Sequence, residues 1–201
     1  MLLSIDPDHP EPRKVQRAVD ALKQGEVIAY PTDTIYGIGC DLFNKKAIDR
    51  IYQIKSLPKT HKLTFICPDL SDIARYAIVD NSQYRLLRRV LPGPYTFIFE
   101  ATREVPKIVQ SKRKTVGIRV PQSPVVQALV RTLGGPVIST TAVLPGGEPF
   151  IDPEEINQRF KGLAMVIDSG AGGSEPTTVV DLSAGEVRVL REGAGSVSDL
   201  Y

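Results

Sequence analysis

Short helical stripes of apolar residues alternate with denser apolar runs along most of this chain. Pro10 and Pro12 end an irregular or edge-strand start. Val15, Ala18, Val19 and Leu22 then follow the spacing of one helix face and predict a helix over residues 14–24, with Gly25 suited to its C-terminal end. Residues 26–30 (EVIAY) form a β-rich run stopped by Pro31, and PTDTIYGIGCD after it reads as a tight connecting segment. Asn44 is placed to cap a second helix with apolar positions Ala47, Ile48, Ile51 and Ile54. Polar residues 56–62, broken by Pro58, predict a loop; 63–67 predict a strand, and Ser71 opens a short helix.

The second half continues in the same style. A helix is expected over 81–90, ending at LPGP, and strands over 95–100 and 116–120. Another helix is expected over 124–133, stopped by Gly134-Gly135, followed by a strand over 137–141. Asp152-Pro153 opens a further helix, with proline at its first position. Short strands follow over 165–168, 178–182 and 187–190. Helices and strands alternate at first, and then strands dominate. That order predicts an α/β fold: a single domain over residues 1–201 with one twisted mixed sheet and flanking helices.

Composition narrows this reading only a little. Hydrophobic residues make up 42% and charged residues 24%, an ordinary globular balance that excludes a disordered chain. Net charge is only +2, so bulk charge does not decide for or against nucleic acid. Its distribution is uneven: Arg103, Lys107, Lys112, Arg113, Lys114 and Arg119 face a single acid, Glu104, within one segment. Cys40 and Cys67 lie far apart in apolar surroundings and read as buried free thiols, while His9 and His61 are too isolated to suggest a metal site. No apolar run is long enough for a membrane span and no signal peptide is apparent, so the expected location is the cytoplasm, with no membrane partner.

Four segments place hydroxyls or a lone cation at strand ends. They are Thr32, Asp33, Thr34 and Tyr36 after EVIAY; Arg119 in VGIRVP; Ser139, Thr140 and Thr141 in VISTTA; and Thr177 and Thr178 in PTTVVD. Ligands of α/β sheets sit beyond strand ends, and hydroxyls, amides and cations suit phosphate oxygens. Taken singly, each Thr or Ser reads first as a strand former or turn cap; the repetition across four segments points to a phosphate-rich ligand. Lys55, Lys59 and Lys62 share one loop region that can reach such a ligand. No GxxxxGK[ST] phosphate loop, no GxGxxG and no GxSxG is present, which sets aside P-loop NTPases, Rossmann dinucleotide binders and α/β-hydrolases.

YPTDTIYGIGCD resembles the signature of the YrdC-like family, whose best-known members are threonylcarbamoyl-adenylate synthases. LPGPYTFIF, TVGIRVP, VISTTA, TTVVDL and VLREG follow in family order, so the resemblance covers about residues 14–193. It implies a concave basic cavity, and a reaction in which ATP, L-threonine and bicarbonate give threonylcarbamoyl-AMP and pyrophosphate for tRNA modification. Mg²⁺ is expected with the ATP, without a dedicated protein ligand set. On this resemblance Thr32 and Tyr36 line the amino-acid end and Arg119 binds a carboxylate or phosphate. Lys55 contacts the nucleotide phosphates, with Lys59 nearby, and Ser139, Thr141, Thr178 and Arg191 face the nucleotide. Lys55 and Arg119 are the residues expected to carry catalysis, by positioning and charge stabilisation.

Two positions depart from the synthase pattern. Family synthases carry Lys-x-Arg and Ser-x-Asn where this chain has Lys55-Ser56-Leu57 and Thr141-Ala142-Val143. Both changes resemble the YciO branch. Lys59 or Lys62 is then expected to replace the missing arginine. Three functions follow: the synthase or a weak variant of it, an adenylate-forming or hydrolytic enzyme with another acyl substrate, or a double-stranded RNA or tRNA binder without the chemistry.

Overall fold

The computed structural model describes residues 1–109 and 113–201; Lys112 of the basic segment lies outside them. Among the described residues, ten strands form one mixed sheet. They are β1 (Leu2–Ser4), β2 (Ile28–Tyr30), β3 (Gly37–Asp41), β4 (Thr64–Ile66), β5 (Tyr95–Glu100), β6 (Thr115–Arg119), β7 (Val137–Thr141), β8 (Met165–Asp168), β9 (Thr178–Asp181) and β10 (Arg188–Arg191). Their order across the sheet is β1-β8-β2-β3-β7-β4-β6-β5-β9-β10. Six α-helices among the described residues flank it: α1 (Pro12–Lys23), α2 (Lys45–Ile54), α3 (Leu70–Tyr76), α4 (Asn81–Val90), α5 (Pro124–Leu133) and α6 (Pro153–Arg159). None is long and apolar enough to cross a membrane.

Local chemistry accounts for the helix ends. The Asn44 side chain accepts from Ala47 N at the start of α2, and Asp80 and Gln83 form a reciprocal capping box on α4. Gly25 and Gly134 take positive φ just beyond α1 and α5, as a left-handed stop requires. The start of the chain is an edge strand, β1, paired only with β8.

One element differs from its sequence expectation. PTDTIYGIGCD is a turn followed by a five-residue strand, β3, paired with both β2 and β7. Glycine is a poor strand former, which hides this strand in the sequence. Close approach demands it here: a Cβ on Gly37 would lie 2.7 Å from the Tyr30 ring, and one on Gly39 would lie 2.6 Å from the Ile138 carbonyl oxygen.

Two apolar layers sandwich the sheet unequally. Period-2 alternation sends Ala29, Ile38, Phe65, Phe97, Phe99, Ile118, Ile138 and Val180 into one core, against α2, α3, α4 and α6. The opposite face buries Ile28, Tyr30, Ile66, Val137, Met165 and Ile167 beneath α1 and α5, which pack against each other. Those two helices cover only the part of that face nearer β1. Beyond β4, Ile98 and Val179 belong to neither core, and a concave stretch of sheet is left without a helix over it.

Candidate functional site

The uncovered stretch is the floor of a cavity of about 330 Å³. Register explains its shape. Ser139 pairs with Thr64, Thr64 with Gly117 and Gly117 with Ile98, so their side chains form one row across four strands on the same face. Small residues lower this row, while Thr96, Thr115 and Val179 stand beside it. One wall comes from Thr32 and Ile35 in the turn before β3, and another from His61 and Lys62 in the loop before β4. Thr177 and Arg191 close the far end. Among the described residues, the cations Lys62, Arg119 and Arg191 line the cavity, and no Asp or Glu does.

Arg119 organises one end. It is 5% exposed, pairs with the Asp33 carboxylate, and donates from the same nitrogen to Thr34 Oγ1 at 2.8 Å and Thr32 Oγ1 at 3.2 Å. The second Asp33 oxygen accepts Gln122 N at 3.0 Å. Thr32 Oγ1 in turn donates to Ile35 O at 2.8 Å, so the turn is built around the guanidinium. Burial pulls Arg119 below the ordinary guanidinium range, and the Asp33 charge opposes that pull. Arg119 Nε is buried without a hydrogen-bond partner among the described residues.

Arg191 anchors the other end without any acid. Its guanidinium donates to the Thr177 carbonyl at 3.1 and 2.9 Å and to Thr177 Oγ1 at 3.2 Å. Thr177 Oγ1 also meets Thr96 Oγ1 at 2.9 Å. Between the poles, Ser139 Oγ accepts from the buried Tyr30 hydroxyl, which holds it in place at the floor.

Of the nine residues given site roles by the family resemblance, Thr32, Arg119, Ser139, Thr141 and Arg191 come together around this cavity. Four do not line it. Lys55 is 2% exposed, donates to the carbonyls of Thr141 and Val143, and lies 5.2 Å from the Phe160 ring centroid. Desolvation lowers its pKa to about 8. Lys59 points outward and pairs with Asp49 at 3.0 Å. Tyr36 faces the larger core, where its hydroxyl donates to Gly170 O at 2.7 Å and burial raises its pKa to about 12. Thr178 is fully buried; its hydroxyl donates to Gly195 O and accepts Gly193 N, tying the C-terminal segment to β9. Strand parity decides the Thr178 case, because Val179, one residue on in β9, takes the cavity face.

Residues 170–173, a glycine-rich run, are pinned to the Thr32–Tyr36 region. Gly173 N donates to Thr34 O at 2.8 Å, and a Cβ on Gly172 would meet the Tyr36 ring at 2.5 Å. Sequence reasoning passed over Thr64, Thr96 and Thr115 as site residues. The signal was their alternation with Phe65, Phe97 and Val116, which shows opposite faces but not which face stays open. Of the basic segment, Arg119 is buried while Arg103, Lys107, Arg113 and Lys114 are exposed, so the described members do not share one environment.

A family model named for Sua5, YciO and YrdC, described as telomere recombination, matches residues 20–193. The chain belongs to the Sua5/YciO/YrdC family. Within that family it is 46% identical over 196 residues to an uncharacterized YciO protein of Escherichia coli, covering 96% of this chain and 95% of that one. The crystal structure of E. coli YciO superposes with a TM-score of 0.95 at 44% identity, over 100% of this chain and 99% of the other. A threonylcarbamoyl-AMP synthase of Vibrio vulnificus is 35% identical over 184 residues, covering 89% of this chain and 98% of that protein. The fold also matches P. abyssi Sua5 solved with L-threonine, at a TM-score of 0.89 and 24% identity, over 96% of this chain and 57% of that one.

Proposed function

We propose that the cavity binds ATP in the cytoplasm and that the protein makes threonylcarbamoyl-AMP from ATP, L-threonine and bicarbonate, at a rate reduced by Leu57 and Val143. The observation that carries this reading is a lining that, among the described residues, holds three cations, several hydroxyls and no carboxylate, in a chain similar to named threonylcarbamoyl-AMP synthases. Such a lining favours a polyanion and repels none of its charge. In the reaction, the threonine amine and bicarbonate give a carbamate and water. A carbamate oxygen then attacks the α-phosphorus, and the bond to the β-phosphate oxygen breaks to release pyrophosphate.

In this proposal Arg119, with its unpartnered Nε, meets the carboxylate or phosphate at the Thr32 end. Ser139 and Thr141 face the nucleotide, and Arg191 takes phosphate charge. Lys55 and Thr178 support the walls from behind. In this proposal Mg²⁺ comes with the triphosphate, as suits a cation that keeps several of its waters.

The test incubates the protein with ATP, threonine, bicarbonate and Mg²⁺ and follows pyrophosphate and threonylcarbamoyl-AMP beside Arg191→Gln. Threonine-dependent product, lowered about tenfold or more in the variant, is expected. ATP binding without product would redirect the reading to another acyl substrate. Failure of both would favour RNA or tRNA binding, the reading that exposed Arg103, Lys107, Arg113 and Lys114 support.

A further inference from the structure

The loop before β4 carries the cleft's charge at a position the Lys-x-Arg pattern does not use. Lys55, the first residue of that pattern, is turned away from the cavity and hydrogen-bonded to two carbonyls of the segment that carries the second departure, Val143. Leu57, where synthases have arginine, packs against the larger apolar core. The second departure thus lies beside a buried ammonium and the first in the apolar core, and neither sends charge into the cleft.

Lys62 does. It lines the cavity, is exposed on it, and has no hydrogen-bond or ion-pair partner among the described residues. Lys59 is already matched by Asp49 and lies outside the lining. His61 shares the wall, but burial and the Lys55 charge hold its pKa below the usual imidazole value, so it brings little charge near neutral pH.

The backbone around Lys62 is fixed on both sides. Tyr52 Oη donates to His61 O at 3.1 Å, His61 N donates to Pro58 O at 2.9 Å, and Leu63 is buried next to it. A cation on an anchored stem loses less conformational freedom when it meets an anion than one on a loose loop. Of the other two cations lining the cavity among the described residues, Arg119 shares its charge with Asp33 at the Thr32 end, and Arg191 stands at the opposite end of the floor.

We propose that Lys62 is the residue that contacts the terminal phosphates of the bound ligand, in place of the arginine absent at Leu57, while Lys55 acts only as an internal clamp. This rests on the cleft being the anion site of the reading above, and deepens it by assigning the polyphosphate end to the His61–Lys62 wall.

The experiment is calorimetric titration of the full chain with inorganic tripolyphosphate and, separately, with ATP at low salt. Wild type is compared with Lys62→Gln, Lys62→Arg and Lys59→Gln, with melting curves alongside. Lys62→Gln should bind tripolyphosphate about tenfold more weakly, the loss of one charge-assisted contact, with an unchanged melting curve. Lys62→Arg should recover most of that loss, and Lys59→Gln should bind as wild type does. Equal affinity of Lys62→Gln and wild type, an equal loss in Lys59→Gln, or no tripolyphosphate binding by wild type would each overturn the assignment. The two readings fail separately. Lys62-dependent tripolyphosphate binding without ATP binding leaves this inference standing and removes the nucleotide. ATP binding and adenylate formation indifferent to Lys62 do the reverse.

Discussion

The Lys55 ammonium donates to the Thr141 carbonyl at 2.7 Å, joining the C-terminal end of α2 to the last residue of β7 across 86 positions of sequence. The Val143 carbonyl accepts from the same nitrogen, and the Phe160 ring lies beside it. A buried lysine is costly unless its protons are used, and here carbonyls and an aromatic face take them.

Burial places the Lys55 pKa at about 8, below its ordinary 10.5. Below pH 8 both the folded and unfolded chains carry this proton, and the burial penalty on folding is present in full. Between pH 8 and 10.5 the unfolded chain holds more protons, so this group's contribution to stability rises with pH. The urea midpoint of wild type should therefore rise relative to Lys55→Met across that window. The comparison must be made between the two proteins, because buried Tyr36 and the two cysteines titrate with raised pKa values and lower stability as pH climbs. A flat difference would show that the carbonyl bonds offset the desolvation.

Asp33 and Arg119 form a buried pair whose members depend on each other. Asp33→Asn and Arg119→Met should each cost about 3–5 kcal/mol in denaturant unfolding, since each strands the other polar group. The double variant should cost clearly less than the sum. Additive losses would mean that the two side chains act independently.

Thr178→Val removes a hydroxyl that both donates to Gly195 O and accepts Gly193 N. Loss of about 1–3 kcal/mol of stability is expected, from unmaking buried hydrogen bonds. ATP affinity should stay near wild type below the melting transition. A tenfold loss of affinity in the folded variant would put this residue at the ligand, contrary to its position.

Gly39 and Gly117 should behave oppositely. A Cβ on Gly39 meets the Ile138 carbonyl oxygen and Val137 Cγ1 at 2.6 Å, so Gly39→Ala should lose about 1–3 kcal/mol or more. At Gly117 the nearest atoms are 3.7 Å away, an ordinary contact, and Gly117→Ala should change stability by less than about 1 kcal/mol. Gly117→Val should then narrow the cavity floor and weaken ATP binding in a protein that still melts cooperatively. Unchanged affinity in Gly117→Val would move the ligand off the floor.

Much of the architecture was legible in the residues. α4, α5, β5 and β7 have the bounds that periodicity and turn residues imply, and Asn44 and Asp152 cap the helices they precede. β3 was hidden because Gly37 and Gly39 serve the neighbours that crowd them, and no local propensity records a neighbour. The site was partly legible: Thr32, Arg119, Ser139, Thr141 and Arg191 converge, whereas Lys55, Lys59, Tyr36 and Thr178 point elsewhere.

By itself, then, the sequence determined the alternation of helices and strands, the family motifs, and the supply of hydroxyls and cations at strand ends. Those properties are local, set by side-chain periodicity, caps and turns within a few residues. Which of two sheet faces stays open was decided only in three dimensions. It depends on α1 and α5 packing against each other over one part of the sheet, and on strand order that sets Thr64, Gly117 and Ile98 side by side. A lysine's role follows the same rule: Lys55, Lys59 and Lys62 are alike in the chain, and only the groups each one meets in space make them a clamp, a surface ion pair and a cleft cation.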